Sequence, residues 1–275
     1  MFNKRVIQQF PFLLLLRKAQ RRLFFYAKMR LDGNRYAKTK PVEPLRICVY
    51  EASTCLINPN TGFDMKYQEN KVFNLRLAAK PINGIMLQPQ ETFSFWQLVR
   101  KANKADFRKG LSVEYGKLVT VKGGGLCHLS NFLFWMFLHT PLTIVERHPH
   151  RIKDFPSPDE DDPDGVDATV SEGWLDLKVK NQTDLTYQIE LNFDGKYLHG
   201  RILADKALPY RCEVVNKDKM YFKENGKLFE RVSVYRQNLD SKSGLVRSEA
   251  RLHTDVFEIG YSLSDEAEFQ ETKVS

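Results

Sequence analysis

Apolar positions change their spacing several times along the chain. Between residues 12 and 30, Leu16, Ala19, Leu23 and Ala27 recur at helical intervals, with Arg17, Lys18, Arg21, Arg22 and Lys28 opposite. This predicts an amphipathic helix, although Phe25 and Arg30 break its segregation. Residues 34–45 carry no such period and read as a linker. Arg46–Glu51 alternates weakly, as a strand does. Residues 69–80 suit a helix whose apolar side holds Val72, Leu75, Leu77, Ala78 and Ala79. Ile82-Asn83-Gly84 is a turn signal, Thr92–Phe95 a short strand or loop, and 112–121 extended. Leu126–His139 is almost wholly apolar and stops at Thr140-Pro141, which predicts a buried helix. Leu142–Val145 follows as a strand.

From Asp167 the spacing turns to strands. Asp167–Val170, Leu175–Val179, Tyr187–Leu191 and Tyr197–Leu203 are strand candidates, separated by turn residues at Asn181–Asp184 and Asp194-Gly195. Residues 211–236 and 250–262 continue them, with a hairpin turn at Glu224-Asn225-Gly226-Lys227. The last ten residues are polar and read as frayed. The fold class is α+β: a helical N-terminal part, a central glycine-rich turn into a buried helix, and an antiparallel β-rich C-terminal part. The expected organisation is a basic arm at 1–45, an α+β domain at 46–205 and a β-rich extension at 206–275.

Hydrophobic residues make up 42% and charged residues 28% of 275, proportions that exclude wholesale disorder. The net charge of +8 is an N-terminal property. Residues 1–45 hold eleven Lys or Arg against Asp32 and Glu43, and the remainder is nearly neutral. No wide basic surface follows, so no nucleic-acid partner is expected. The run Phe10–Leu16 is too short to span a bilayer. Gln8, Gln9 and Pro11 interrupt it and no small-residue cleavage site follows, which argues against a secretory signal. The expected location is cytoplasmic, with the arm either lying on an anionic membrane at its inner face or packed on the body. Cys48, Cys55, Cys127 and Cys212 show no paired spacing, so a disulfide scaffold is not expected.

The chemistry concentrates around Cys127. Gly123-Gly124-Gly125 precede it and a helix follows. Glycines allow close backbone approach and expose N–H donors. A cysteine in the first helical turn faces the positive end of the dipole, which favours thiolate. A nucleophile also needs a base and an orienting acceptor. His148 or His150 is the candidate base and Asp167 the orienter, with the glycine N–H groups or His128 steadying an oxyanion. Gly123, Gly124, Gly125, His128, Ser130, Glu146 and Arg147 are the ligand-contacting candidates. The competing readings are an inert core cysteine within a non-catalytic binding module, and a zinc site built from Cys127, His128, His148 and His150. The zinc reading is disfavoured because CxxC and HExxH are absent and adjacent Cys127 and His128 point apart on a helix. Glu160–Gly165 superficially resembles a calcium loop, but the twelfth position is Ser171 where Glu is needed. No phosphate loop, dinucleotide fingerprint or GxSxG is present, so no cofactor is expected. Phe93, Phe95 and Trp96 read as core rather than a stacking platform.

Several of these pieces occur together, in order, as in one known family. They are Asn74-Leu75-Arg76-Leu77-Ala78-Ala79, Ile82-Asn83-Gly84, Glu91–Phe95, Gly123-Gly124-Gly125-Leu126-Cys127-His128-Leu129-Ser130, Ile144–His150, Asp167–Val170 and Asn181-Gln182-Thr183. Across residues 69–190 the chain resembles the VanW family, named for its place among glycopeptide-resistance proteins. It departs from the family where His128 stands in place of the more frequent Gln, and Asn131 in place of a second Ser. The resemblance implies a bacterial setting and a link to vancomycin resistance, with a cell-wall peptide or precursor as the expected ligand. It brings no reaction with it.

Overall fold

The computed structural model describes residues 11–114, 117–153, 164–261 and 269–270. Its elements are arranged around one helix, α4 (Leu126–Leu138), which sits in the interior. Leu129, Leu133, Phe134, Met136, Phe137 and Leu138 are all buried. A helix that is apolar all round can only be stable when covered on every side. One cover is a sheet of strands β2 (Ile47–Cys55), β11 (Tyr197–Ala204), β10 (Tyr187–Phe193) and β3 (Met86–Leu87), in that order and antiparallel. Gly200 on β11 makes the close crossing feasible, since a Cβ there would sit 2.4 Å from Met136 Sδ. A second cover is helix α2 (Met65–Ile82), capped by the Asp64 carboxylate on Lys66 N–H and burying Leu75, Ala78, Ala79 and Ile82.

A second sheet runs β1 (Arg35–Tyr36), β4 (Glu91–Ser94), β9 (Lys178–Lys180), β7 (Thr143–Glu146). The segment expected to be only a linker thus supplies one strand, paired parallel with β4. Phe95 and Trp96 open helix α3 (Phe95–Val99) and, with Phe93, are buried, which agrees with their core reading. Strands β5 (Lys109–Glu114) and β6 (Lys117–Lys122) form a hairpin that ends in the glycine triplet.

The third sheet is C-terminal: β15 (Phe269–Gln270), β12 (Tyr210–Glu224), β13 (Lys227–Asp240), β14 (Val246–Ile259) and β8 (Ile152–Lys153). Asn225 and Gly226 both take positive φ, 50° and 75°, as a tight two-residue hairpin turn requires. Phe269 and Gln270, expected to be frayed, pair with Tyr221 and Phe222. The acidic stretch up to Pro163 lies outside the described residues. The class is α+β. The expected strand Asp167–Val170 does not form: the segment is extended but joins no ladder. Its peptide groups are held by side chains instead, as described below. The N-terminal helix α1 (Pro11–Leu31) forms as expected, but it turns Phe25, Tyr26 and Met29 to the body and leaves Leu16 and Leu23 exposed.

One carboxylate in this frame is buried and makes no ion pair among the described residues, although the Lys178 charge acts on it from nearby. Asp176 accepts from Ser94 Oγ at 2.6 Å and Trp96 N–H at 3.1 Å. Burial raises it to about 7 against the pull of those hydrogen bonds, and nearby Glu146 adds to the rise. A folded-state value above the unfolded one contributes stability below about 4 that is lost as pH rises through about 7. Asp176→Asn is therefore expected to gain on the wild type across that window. Thermal unfolding of both proteins against pH checks this, and a constant gap between them would refute it.

Candidate functional site

Backbone packing fixes where Cys127 sits. Gly124 crosses the hairpin so closely that a Cβ would lie 2.3 Å from Gly110 O. The buried Asn74 side chain on α2 clamps this turn: its amide donates to Gly124 O and Arg108 O, both at 3.0 Å, and its carbonyl accepts from Arg108 N–H at 2.8 Å. Gly125 caps α4 with φ of 92°, a left-handed conformation that favours glycine, and the stem of Lys71 fills the space beside it. Cys127 is the second residue of the helix that follows. Gly123 N–H and Gly124 N–H already donate to Arg108 O and Val121 O. Those two glycines are therefore spent on the turn and do not serve as the expected oxyanion donors.

His150 meets Cys127 from the other side. It lies on the segment that leaves β7 in one sheet and enters β8 in another. Its Nδ1 is 2.8 and 2.9 Å from the two Asp167 carboxylate oxygens, and its backbone N–H also donates to Asp167. Cys127 lies close enough to the imidazole to act on its charge. Burial opposes that charge, but the hydrogen bonds to Asp167 and the nearness of both Asp167 and Cys127 outweigh burial and push His150 up to about 11. Cys127 Sγ lies 3.9 Å from Val170 O. A thiol, an imidazole and a carboxylate are thus neighbours at the start of α4.

The remaining expected residues support this group or lie off it. His148 pairs with Glu146 at 3.2 Å, and Glu146 also holds Lys178 at 2.9 Å and Asp176 N–H. His150, of the two candidate histidines, is the one joined to Asp167. Arg147 donates to Asp167 O at 2.9 Å and grips Asp255 on β14 through two bonds of 2.6 and 2.7 Å. Ser130 Oγ donates to Ala168 O at 2.5 Å, while Asn131 Oδ1 accepts from Ala168 N–H at 2.7 Å. Two helix side chains therefore do what a neighbouring strand would do for residue 168. They fix Asp167 one position away. Thr169 N–H completes the hold on His148 O at 2.6 Å.

His128 faces Thr54 Oγ1 at 3.2 Å. Burial and the neighbouring Lys71 lower it to about 3, so it is a neutral imidazole at ordinary pH. His128 and His148 have separate partners, and Cys127, His128, His148 and His150 do not converge as a zinc set. Among the described residues no such group is assembled for a metal.

Sequence reasoning gave no role to Asn74, Asn131, Lys71 or Asp255, and Asn74 entered only as part of a family segment. Asn131 was visible only as a departure from the family pattern. Lys71, which burial lowers to about 8, gave no signal at all.

These features define an α+β protein with a cysteine, a histidine and a carboxylate gathered at the start of its central helix. The family profile described as VanW like protein matches residues 70–203. The vancomycin B-type resistance protein VanW of Enterococcus faecalis is 48% identical over 272 residues, 98% of this chain and 99% of that one. The chain belongs to the VanW family. The uncharacterized protein YoaR of Bacillus subtilis is 36% identical over 116 residues, 42% of this chain and 36% of its own length. No solved structure matches.

Two outcomes follow from the geometry. Arg147→Met leaves the buried Asp255 carboxylate with only the His253 imidazole, 3.7 Å away, and removes a donor from Asp167 O. Urea unfolding is expected to show a loss of about 3 kcal/mol, largely recovered when Asp255→Leu is added. A raised imidazolium at His150 contributes stability that is full below about 6.5 and is lost as pH climbs toward 11. His150→Ala should flatten that alkaline decline in an unfolding series, and an unchanged slope would exclude the charge.

Proposed function

We propose that this protein is a cysteine-dependent hydrolase or acyltransferase acting on a peptide amide of a cell-wall precursor. The observation that carries the reading is the meeting of Cys127, His150 and Asp167 at the start of α4. The relative's name associates it with vancomycin resistance, and we extend that association to this chain as an accessory role.

In the proposed reaction the Cys127 thiolate attacks the amide carbonyl carbon and a C–S bond forms. The His150 imidazolium gives its proton to the leaving amine as the C–N bond breaks, which leaves a thioester and a neutral imidazole. Water, or an amine acceptor, then loses a proton to His150 while attacking the thioester, and the C–S bond breaks to restore the starting pair. Asp167 orients the imidazole and stabilises its charged form throughout. The first turn of α4 offers backbone N–H groups to the developing oxyanion.

Site-resolved iodoacetamide labelling tests this directly. Cys127 in the folded protein should react faster near neutral pH than the same thiol after denaturation. His150→Ala should slow labelling and lower amide turnover by about a hundredfold, whereas His148→Ala should leave both unchanged. Silence at Cys127 until denaturant is added would replace the catalytic reading with a binding module that recognises a cell-wall ligand or partner.

A further inference from the structure

Helix α1 divides into two faces with different fates. Phe25, Tyr26 and Met29 pack on the body. Tyr26 OH donates to Glu172 at 2.8 Å, Arg22 pairs with Glu172 at 3.3 Å, and Gln97 Nε2 lies 3.2 Å from Met29 Sδ. The other face is open. Leu16 is 62% exposed, Leu23 70%, Phe24 63% and Leu31 86%. With Ala19 and Ala27 they span an arc of about 140° at helical spacing, interrupted by Gln20 and Arg30. Arg17, Arg21 and Lys28 border that arc, and the helix holds six basic residues with no acidic one. Trp174, 62% exposed, stands beside it with the Arg21 guanidinium 4.5 Å over its ring.

From this arrangement we infer that α1, with Trp174 at its edge, is an interfacial anchor for an anionic lipid bilayer. Exposed apolar side chains on one arc enter the acyl boundary, and the bordering cations meet lipid phosphates. Trp is favoured at that depth because its ring is apolar and its N–H polar. A long basic side chain inside the arc, such as Arg30, can extend its head to the headgroups while its stem stays apolar. The arm carries the net charge of the whole chain, which gives the surface its complement. No helix among the described residues is long and apolar enough to cross a membrane, so α1 lies on the bilayer.

The anchor is joined to the candidate site. Glu172, which holds Tyr26 and Arg22, is two residues from Val170, whose carbonyl faces Cys127. A docked helix is therefore linked, through Glu172, to the segment that borders Cys127. If the proposed amide chemistry is right, its substrate is membrane-anchored. That last step rests on the proposed function, while the lipid contact does not.

Flotation of the full chain with vesicles separates the two. Binding is expected to equal parts phosphatidylglycerol and phosphatidylcholine, to weaken with added salt, and to be slight on phosphatidylcholine alone. Leu23→Glu with Phe24→Glu should cut partitioning at least about tenfold without lowering the melting temperature. Leu245→Glu with Val246→Glu, exposed where the turn after β13 enters β14, should not. Cys127→Ala should float as the wild type does, so failure of the catalytic reading leaves this result standing. Absence of wild-type flotation, undiminished binding by the Leu23/Phe24 variant, or a dimer dissolved by that variant without lipid binding would each overturn the inference.

Discussion

Burial of a helix that is apolar beyond its first turns is the constraint on which the rest of this structure depends. Leu126–Leu138 has no polar stripe to offer water, so sheet, helix and loops must enclose it. The enclosure dictates several local choices. Gly200 thins one strand where the helix crosses it, and Gly124 and Gly125 allow the incoming hairpin to turn within a tight space. A buried helix can still show one end to the outside. Here that end carries Cys127, so the demand that hides the helix also determines what its first turn presents.

The polar residues around this end hold one another in place. Ser130 and Asn131 hold the peptide of residue 168, Arg147 holds the carbonyl of Asp167, and Asp255 holds Arg147. Each group is satisfied by the next, as buried polar groups must be. His150 comes near Cys127 because its segment bridges two sheets, and Asp167 meets it because three side chains hold the Asp167 carbonyl and the peptide groups of residue 168.

The parts legible in the sequence were those governed by short-range rules. A glycine triplet, a cysteine and an apolar run lie within sixteen residues, and His148-Pro149-His150 follows closely. Helix and hairpin periods were equally local. What escaped was set by tertiary context. The helical wheel of α1 sorted apolar from basic residues, but it could not say that the body would accept Phe25, Tyr26 and Met29 in place of Leu16 and Leu23. Asp167–Val170 has a strand's composition, yet its neighbours are helix side chains, and no ladder forms. Asp255 lies 108 residues beyond Arg147, a distance over which one sequence carries no pairing signal. The choice between His148 and His150 likewise depended on which one Asp167 could reach.

The Arg147–Asp255 pair has a bearing on how such a chain can change over generations. The family profile ends at residue 203, before the strand that carries Asp255. Once that strand neutralises an enclosed guanidinium, deletion strands a charge in the interior. The C-terminal sheet and residue 147 are then coupled, so that neither changes freely without the other. Loss of the strand therefore has to be matched by replacement of Arg147 or by a counter-ion supplied from elsewhere.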